Sequence, residues 1–398
     1  MKKTLLIKFM ILISIMLFVR CSNDSSETDS NPDSTSPTDT PTNGTPTTGT
    51  PTNSVAKFTV LHDFKASTNS SNISSLTYSS GLIYGVANDK LYSIKTDGTA
   101  YTILHTFPEY ISPCGAPLIN NGVIYGMTTF GDGVYKVNID GSNYKVLHNF
   151  TALNANDGIR PFGSLVIYGN TLYGMTLQGG AGKNEYYGTG TIFKVDTDGT
   201  NFKVLHSFTT KEDCYPYGSL LINNNILYGM TSSVINGNVP GYGSIFKINM
   251  DGTNYTVLHK FTGGKDGGNP KGSLVINGNV LYGMTTPRVG GKGSGNIFKI
   301  NTDGSGFANL YESNITPSWY GSLTLVGNVI YGLASNYLYS INSDGSGYNQ
   351  YDWALWTVNV SSEITENGSL IFDGKSFYDV IRSGERRGVL YKFDPPVK

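Results

Sequence analysis

From residue 57 onward, short apolar runs alternate with turn residues at a near-constant spacing. The clearest unit begins Gly272-Ser273-Leu274-Val275-Ile276, turns at Asn277-Gly278-Asn279, and continues Val280-Leu281-Tyr282-Gly283-Met284-Thr285. After a variable loop come Ile297-Phe298-Lys299-Ile300, a turn at Thr302-Asp303-Gly304 and a final strand. The Tyr-Gly step recurs at Tyr84, Tyr125, Tyr173, Tyr228, Tyr282 and Tyr331, with Tyr378-Asp379 as a degenerate seventh copy, at intervals of 41 to 55 residues. Asp-Gly turns recur at Asp97, Asp140, Asp198, Asp251, Asp303 and Asp344. Each unit predicts four short strands rich in Val, Ile, Leu, Tyr and Phe, because Asn-Gly and Asp-Gly favour hairpin turns. Four strands per unit at this period predict an all-β fold, a seven-bladed β-propeller with four antiparallel strands per blade.

The chain ends show how the ring would close. A fourth strand recurs as Tyr101–Phe107, Tyr144–Phe150, Phe202–Phe208 and Tyr255–Phe261, whereas the seventh unit stops at Val389–Asp394 without one. A spare copy, 57–64, opens the repeat region. The expectation is that this N-terminal strand completes the last blade.

The steps Leu-Tyr-Gly-Met-Thr, Ile-Phe-Lys, Asp-Gly-Thr and Val-Leu-His-Ser-Phe resemble the GloVer tandem repeat of bacterial exported proteins. The resemblance covers roughly residues 58–394 and is most specific in blades two to five. There is a looser likeness to YWTD propellers, which share the strand–Asp-Gly–strand layout. Both imply a propeller scaffold, and neither implies a catalytic mechanism.

Ahead of the repeats, Lys2 and Lys3 precede a mostly apolar run from Leu5 to Val19, and Cys21 follows Arg20. The run is short for a spanning helix. Residues 1–20 resemble a lipoprotein signal, with Cys21 as the lipidation site, although a lipobox normally has a small residue where Arg20 stands. The acidic run Ser22-Asn23-Asp24-Ser25-Ser26-Glu27 also resembles signals that send lipoproteins to the outer surface of some Gram-negative cells. An exported protein, lipid-anchored in the outer membrane and facing the cell surface, is the expectation. Residues 22–54 hold no large apolar side chain. Such a segment cannot offset its ordering entropy, so residues 21–55 read as a lipidated Cys and a disordered stalk ahead of the propeller at 56–398.

Charge then narrows the function classes. Four bases and five acids lie before residue 56, so with 28 bases and 29 acids in all the remainder holds 24 of each. No basic face for nucleic acid is expected, and contact with a membrane is expected only through the lipid anchor. His62, His105, His148, His206 and His259 share one repeat position on separate blades, which predicts a structural role and not one metal site. Asp196-Thr197-Asp198-Gly199 lacks the later carboxylate of a calcium loop and reads as a hairpin turn. Cys114 and Cys214 fall on blades that are not neighbours and read as unbridged thiols. HExxH, G-x-S-x-G and Walker A motifs are absent from the sequence, and neither metal nor cofactor nor catalytic residue is assigned.

Departures from the repeat point to the site. Loops joining second to third strands and blade to blade emerge on one face, and the longest lie in blades three to five. Candidate ligand-binding residues there are Tyr215, Tyr217, Trp319, Tyr320, Trp356, Arg160 and Arg288, with Trp353 on the outer wall. Exposed rings beside polar groups suit a glycan or protein ligand. The leading reading is a monomeric, surface-anchored, non-catalytic binding propeller. Its rivals are an envelope glycan hydrolase or lyase using loop carboxylates, and a scaffold within an envelope complex.

Overall fold

The computed structural model describes residues 57–64, 75–131, 133–150, 156–181, 188–209, 214–232, 241–286, 295–313, 321–334, 337–352, 369–383 and 387–394. The signal segment, Cys21, the stalk, Arg288, Trp319, Tyr320, Trp353 and Trp356 lie outside the described residues. The described strands form seven four-stranded antiparallel sheets, six of them built in chain order from one repeat each. The seventh joins Ile371–Phe372, Phe377–Ser383 and Arg387–Asp394 to the N-terminal strand Lys57–Phe64. That strand pairs from Lys57 opposite Asp394 to Phe64 opposite Gly388, closing the ring as the missing seventh copy requires.

The core lies between blades. Met175 and Ile192 of blade three pack with Leu220, Leu227 and Phe246 of blade four, and equivalent clusters join the other neighbours. Each sheet is therefore covered on both faces only when its neighbours are present. The Tyr-Gly step follows from this packing. Gly229 pairs with Phe246 on the third strand, and a Cβ there would sit 2.4 Å from the Phe246 ring. The glycine is the space that the large ring fills.

Regular alternation fails at one place in the outer strand. In blade three Ile192 pairs with His206 and Phe193 with Val204, which leaves Leu205 as a bulge. Equivalent register shifts fall at Leu61, Leu104, Leu147, Leu258 and Leu310. A bulge puts two residues opposite one and bends the strand. It aims the Leu carbonyl at the next blade: a Cβ on Gly252 of the following Asp-Gly turn would meet the Leu205 oxygen at 2.8 Å. Gly252 also has φ of +92°, so the turn residue is constrained twice.

Candidate functional site

The site is built where each blade's inner strand begins. Arg160-Pro161-Phe162-Gly163-Ser164, Tyr215-Pro216-Tyr217-Gly218-Ser219 and Asn269-Pro270-Lys271-Gly272-Ser273 occupy one position in successive blades. Arg160, Tyr215 and Asn269 all take positive φ, at 57°, 59° and 50°. This left-handed step is uncommon for Arg and Tyr and bends the connection before the rigid Pro. Two residues later the chain reaches the axis.

There the Gly-Ser steps form a collar. Ser164 Oγ accepts the Ala116 N–H at 2.7 Å, and Ser219 Oγ accepts the Ser164 N–H at 2.8 Å. Ser273 Oγ accepts from Ser219 at 2.8 Å, and Ser322 Oγ from Ser273 at 2.9 Å. Each hydroxyl thus ties its strand to the preceding blade. The glycines permit the approach, since a Cβ on Gly163 would lie 2.3 Å from the Gly218 carbonyl oxygen and one on Gly272 2.0 Å from that of Gly321. The collar borders a cavity of about 60 Å³ that Tyr217 and Lys271 also line. Lys271 Nζ stands 5.8 Å from the Tyr217 ring centroid, and Phe162 meets the same ring edge-on at 5.2 Å. Lys271 is the single charged side chain of that lining among the described residues.

The sequence candidates separate here. Tyr217 is half-buried and lines the cavity. Tyr215 is not an exposed ring: it is 2% exposed and packs with Leu177 and Cys214, because the left-handed turn sends it into the protein. Arg160 lies half-buried with its guanidinium 5.1 Å from the Phe130 centroid and Nη1 donating to Gln178 at 3.4 Å. Tyr110 and Phe130, 71% and 46% exposed, were not among the candidates. Both lie on the loop-rich face, and the cue was Thr129-Phe130, by which blade two extends its second strand past Met127-Thr128.

The chemistry of the other marked residues is structural. His62, His105, His148, His206 and His259 each stack on an aromatic ring of the next blade, Tyr101, Tyr144, Phe202, Tyr255 and Phe307. Among the described residues no three His, Cys, Asp or Glu side chains gather in metal-ligating geometry. Asp198 Oδ1 accepts the Thr200 N–H and hydroxyl at 2.8 and 2.7 Å, an Asx turn repeated at the other Asp-Gly steps. Those bonds, the hydroxyl first, hold its carboxyl below the usual range. Cys114 and Cys214 are both thiols. Burial pushes the Cys114 thiol up to about 12, which suppresses the reactive thiolate.

The family model of the Gloeobacter/Verrucomicrobia repeat matches residues 87–239 and 187–352. No curated protein matches the chain in sequence. Among solved structures it is similar to oligogalacturonate lyase from Vibrio parahaemolyticus, at 12% identity and TM-score 0.55, over 86% of this chain and 97% of that one. A chain of the mitotic checkpoint complex gives 12% identity and TM-score 0.56, over 93% and 98%. BamB from Moraxella catarrhalis gives 12% and 0.47, over 82% and 83%. The first two likenesses concern the fold alone.

Proposed function

The chain belongs to the Gloeobacter/Verrucomicrobia repeat family, and from that premise we propose that it is a non-catalytic binding propeller that recognises a glycan on its loop-rich face. The observation that carries this is the divergence of one repeat position. The residue between a recurring Pro and a recurring Gly is Cys114, Phe162, Tyr217 and Lys271 in successive blades. Packing accounts for the retained positions, so recognition falls to those that vary around the axial cavity. Tyr217 offers a ring face to a sugar, and the exposed Tyr110 and Phe130 extend the aromatic surface on the same face. Among the described residues no carboxylate lines the cavity, which favours binding over glycoside cleavage by a carboxylate pair.

In this reading Cys21 carries the lipid and the segment to residue 55 holds the propeller clear of the outer membrane, at the cell surface. Cys21→Ala then abolishes fatty-acid labelling. A glycan array probed with the full chain tests recognition itself. A hit that Tyr217→Ala weakens about thirtyfold, the loss of a 2 kcal/mol anchor, supports the reading. Hits indifferent to Tyr217, or turnover of a bound glycan, overturn it.

A further inference from the structure

We propose that the seam between blades two and three is a second subsite of the loop-rich face, where Arg160 holds the carboxylate of an acidic sugar and Phe130 and Tyr110 hold its ring. It rests on the glycan reading and adds the class of sugar. The first ground is where Arg160 stands. Phe130 follows Tyr125 by five residues and Gln178 follows Tyr173 by five, so the two occupy one repeat position on neighbouring blades. Arg160 lies between them, with its guanidinium carbon 5.1 Å from the Phe130 centroid and Nη1 donating to Gln178 Oε1 at 3.4 Å. The backbone around it is pinned on both sides. Ile159 pairs with Gln178, and the Pro161 carbonyl accepts from Thr129 Oγ1 at 3.2 Å and Cys114 Sγ at 3.3 Å on blade two. The cation is thus positioned before a ligand arrives.

The second ground is unmet charge. A guanidinium carries five N–H donors and stays protonated. Gln178 takes one of them, and Nε is shielded from solvent with no acceptor among the described residues. No ion pair engages the group among the described residues, and Asp157, three residues earlier, has its carboxylate 3.6 Å from His148 instead. A half-buried permanent cation without a counter-charge favours an anion over a neutral acceptor, because charge-assisted hydrogen bonds are about twice as strong as neutral ones. The planar fork selects further, since it matches both oxygens of one carboxylate.

The third ground is the apolar surface beside that fork. Phe130 is 46% and Tyr110 71% exposed. Ser112, two residues beyond Tyr110, pairs with Phe130, so both rings belong to the same open end of the blade-two hairpin. A ring surface next to a carboxylate-binding fork fits a sugar that bears its carboxylate as a substituent, with its C–H face on the aromatics and its acid at the arginine.

Titration calorimetry on the full chain, at constant ionic strength, compares methyl glucuronide, methyl glucoside and methyl glucoside 6-sulfate. The glucuronide is expected to bind about tenfold more tightly than the glucoside. Arg160→Gln should remove that preference, and Arg160→Lys, which keeps the charge and loses the fork, should reduce it. Phe130→Ala should weaken both glycosides, and melting temperatures check that each variant folds. A preference that survives in Arg160→Gln overturns the assignment to this seam. Equal affinities for the two glycosides, both lowered by Tyr217→Ala, overturn the subsite and leave the glycan reading standing. Preference for the sulfate ester overturns the carboxylate. Failure of all three to bind overturns the subsite, and an array without hits overturns the glycan reading as well.

Discussion

The imidazole of His206 lies flat on the Tyr255 ring, with centroids 3.9 Å apart and planes 7° from parallel. His206 belongs to the outer strand of blade three, and Tyr255 introduces the outer strand of blade four. Phe208 completes the arrangement edge-on, 5.0 Å from His206 and 6.0 Å from Tyr255. The unit recurs from blade to blade, and at the fifth seam Tyr311 stacks on Tyr348 in place of the histidine. A position that invites a metal reading is thus an aromatic fastening between neighbouring sheets.

A double-mutant cycle on His206→Ala and Tyr255→Ala should therefore give a coupling of about 0.5–1.5 kcal/mol, the range for stacked aromatic pairs. Denaturant unfolding of the four proteins supplies the numbers. Additive losses would mean that the rings touch without stabilising one another.

Ring closure predicts a sharp difference between two truncations. A chain beginning at residue 57 keeps Phe58 against Phe393 and the buried Phe64. One beginning at 66 loses both rings and leaves the Arg387–Asp394 strand as an open edge. Its melting temperature should fall by roughly 10 °C or more, since loss of the buried Phe64 ring alone costs about 3–5 kcal/mol. Similar melting of the two chains would overturn the closure.

Strand count, blade number and closure were legible because each rests on residues that recur, such as Tyr-Gly and Asp-Gly. The bulge at Leu205 was not, because Val-Leu-His reads as plain strand and only pairing register reveals the extra residue. The collar was hidden for a related reason. Gly272-Ser273 is visible as a repeated start of a strand, but its meaning depends on the neighbouring blade, whose carbonyl excludes a Cβ. Tyr215 misled because composition marks a loop aromatic as available, whereas φ of +59° turns it inward.

The degenerate seventh Tyr-Gly step has a consequence for pH. Asp379 occupies the glycine position, is 4% exposed, and its Oδ2 has no hydrogen-bond partner among the described residues. Burial pushes its carboxyl up to about 7. A carboxyl raised above its unfolded value of about 3.9 stabilises the fold below that value, and the contribution disappears as pH rises through 7. Three units correspond to about 4 kcal/mol, an upper figure. His62, His148 and His259, held low mainly by burial, act in the opposite sense as pH falls below 6.5. Comparing wild type with Asp379→Asn isolates the carboxyl. The variant should lose less stability between pH 5 and 8, and parallel profiles would exclude a titrating Asp379.

Tyr215 and Tyr217 are two residues apart and should answer to opposite assays. Tyr215 is buried against Leu177 and Cys214 and is held in a left-handed turn before Pro216. Its replacement by Ala empties a packed position, for which a loss of about 3–5 kcal/mol is expected. A lower denaturation midpoint should record it, with affinity preserved in the fraction that remains folded. Tyr217 is half-buried at the axial cavity, where Lys271 stands over its face and Phe162 meets it edge-on. Truncating it removes less packed surface but deletes the ring on which a sugar would stack. Tyr217→Ala should leave the midpoint within about 1 kcal/mol of wild type and weaken an array ligand roughly thirtyfold. The reverse pattern, with binding lost in Tyr215→Ala alone, would move the site away from the axis toward the cluster of Leu177 and Cys214.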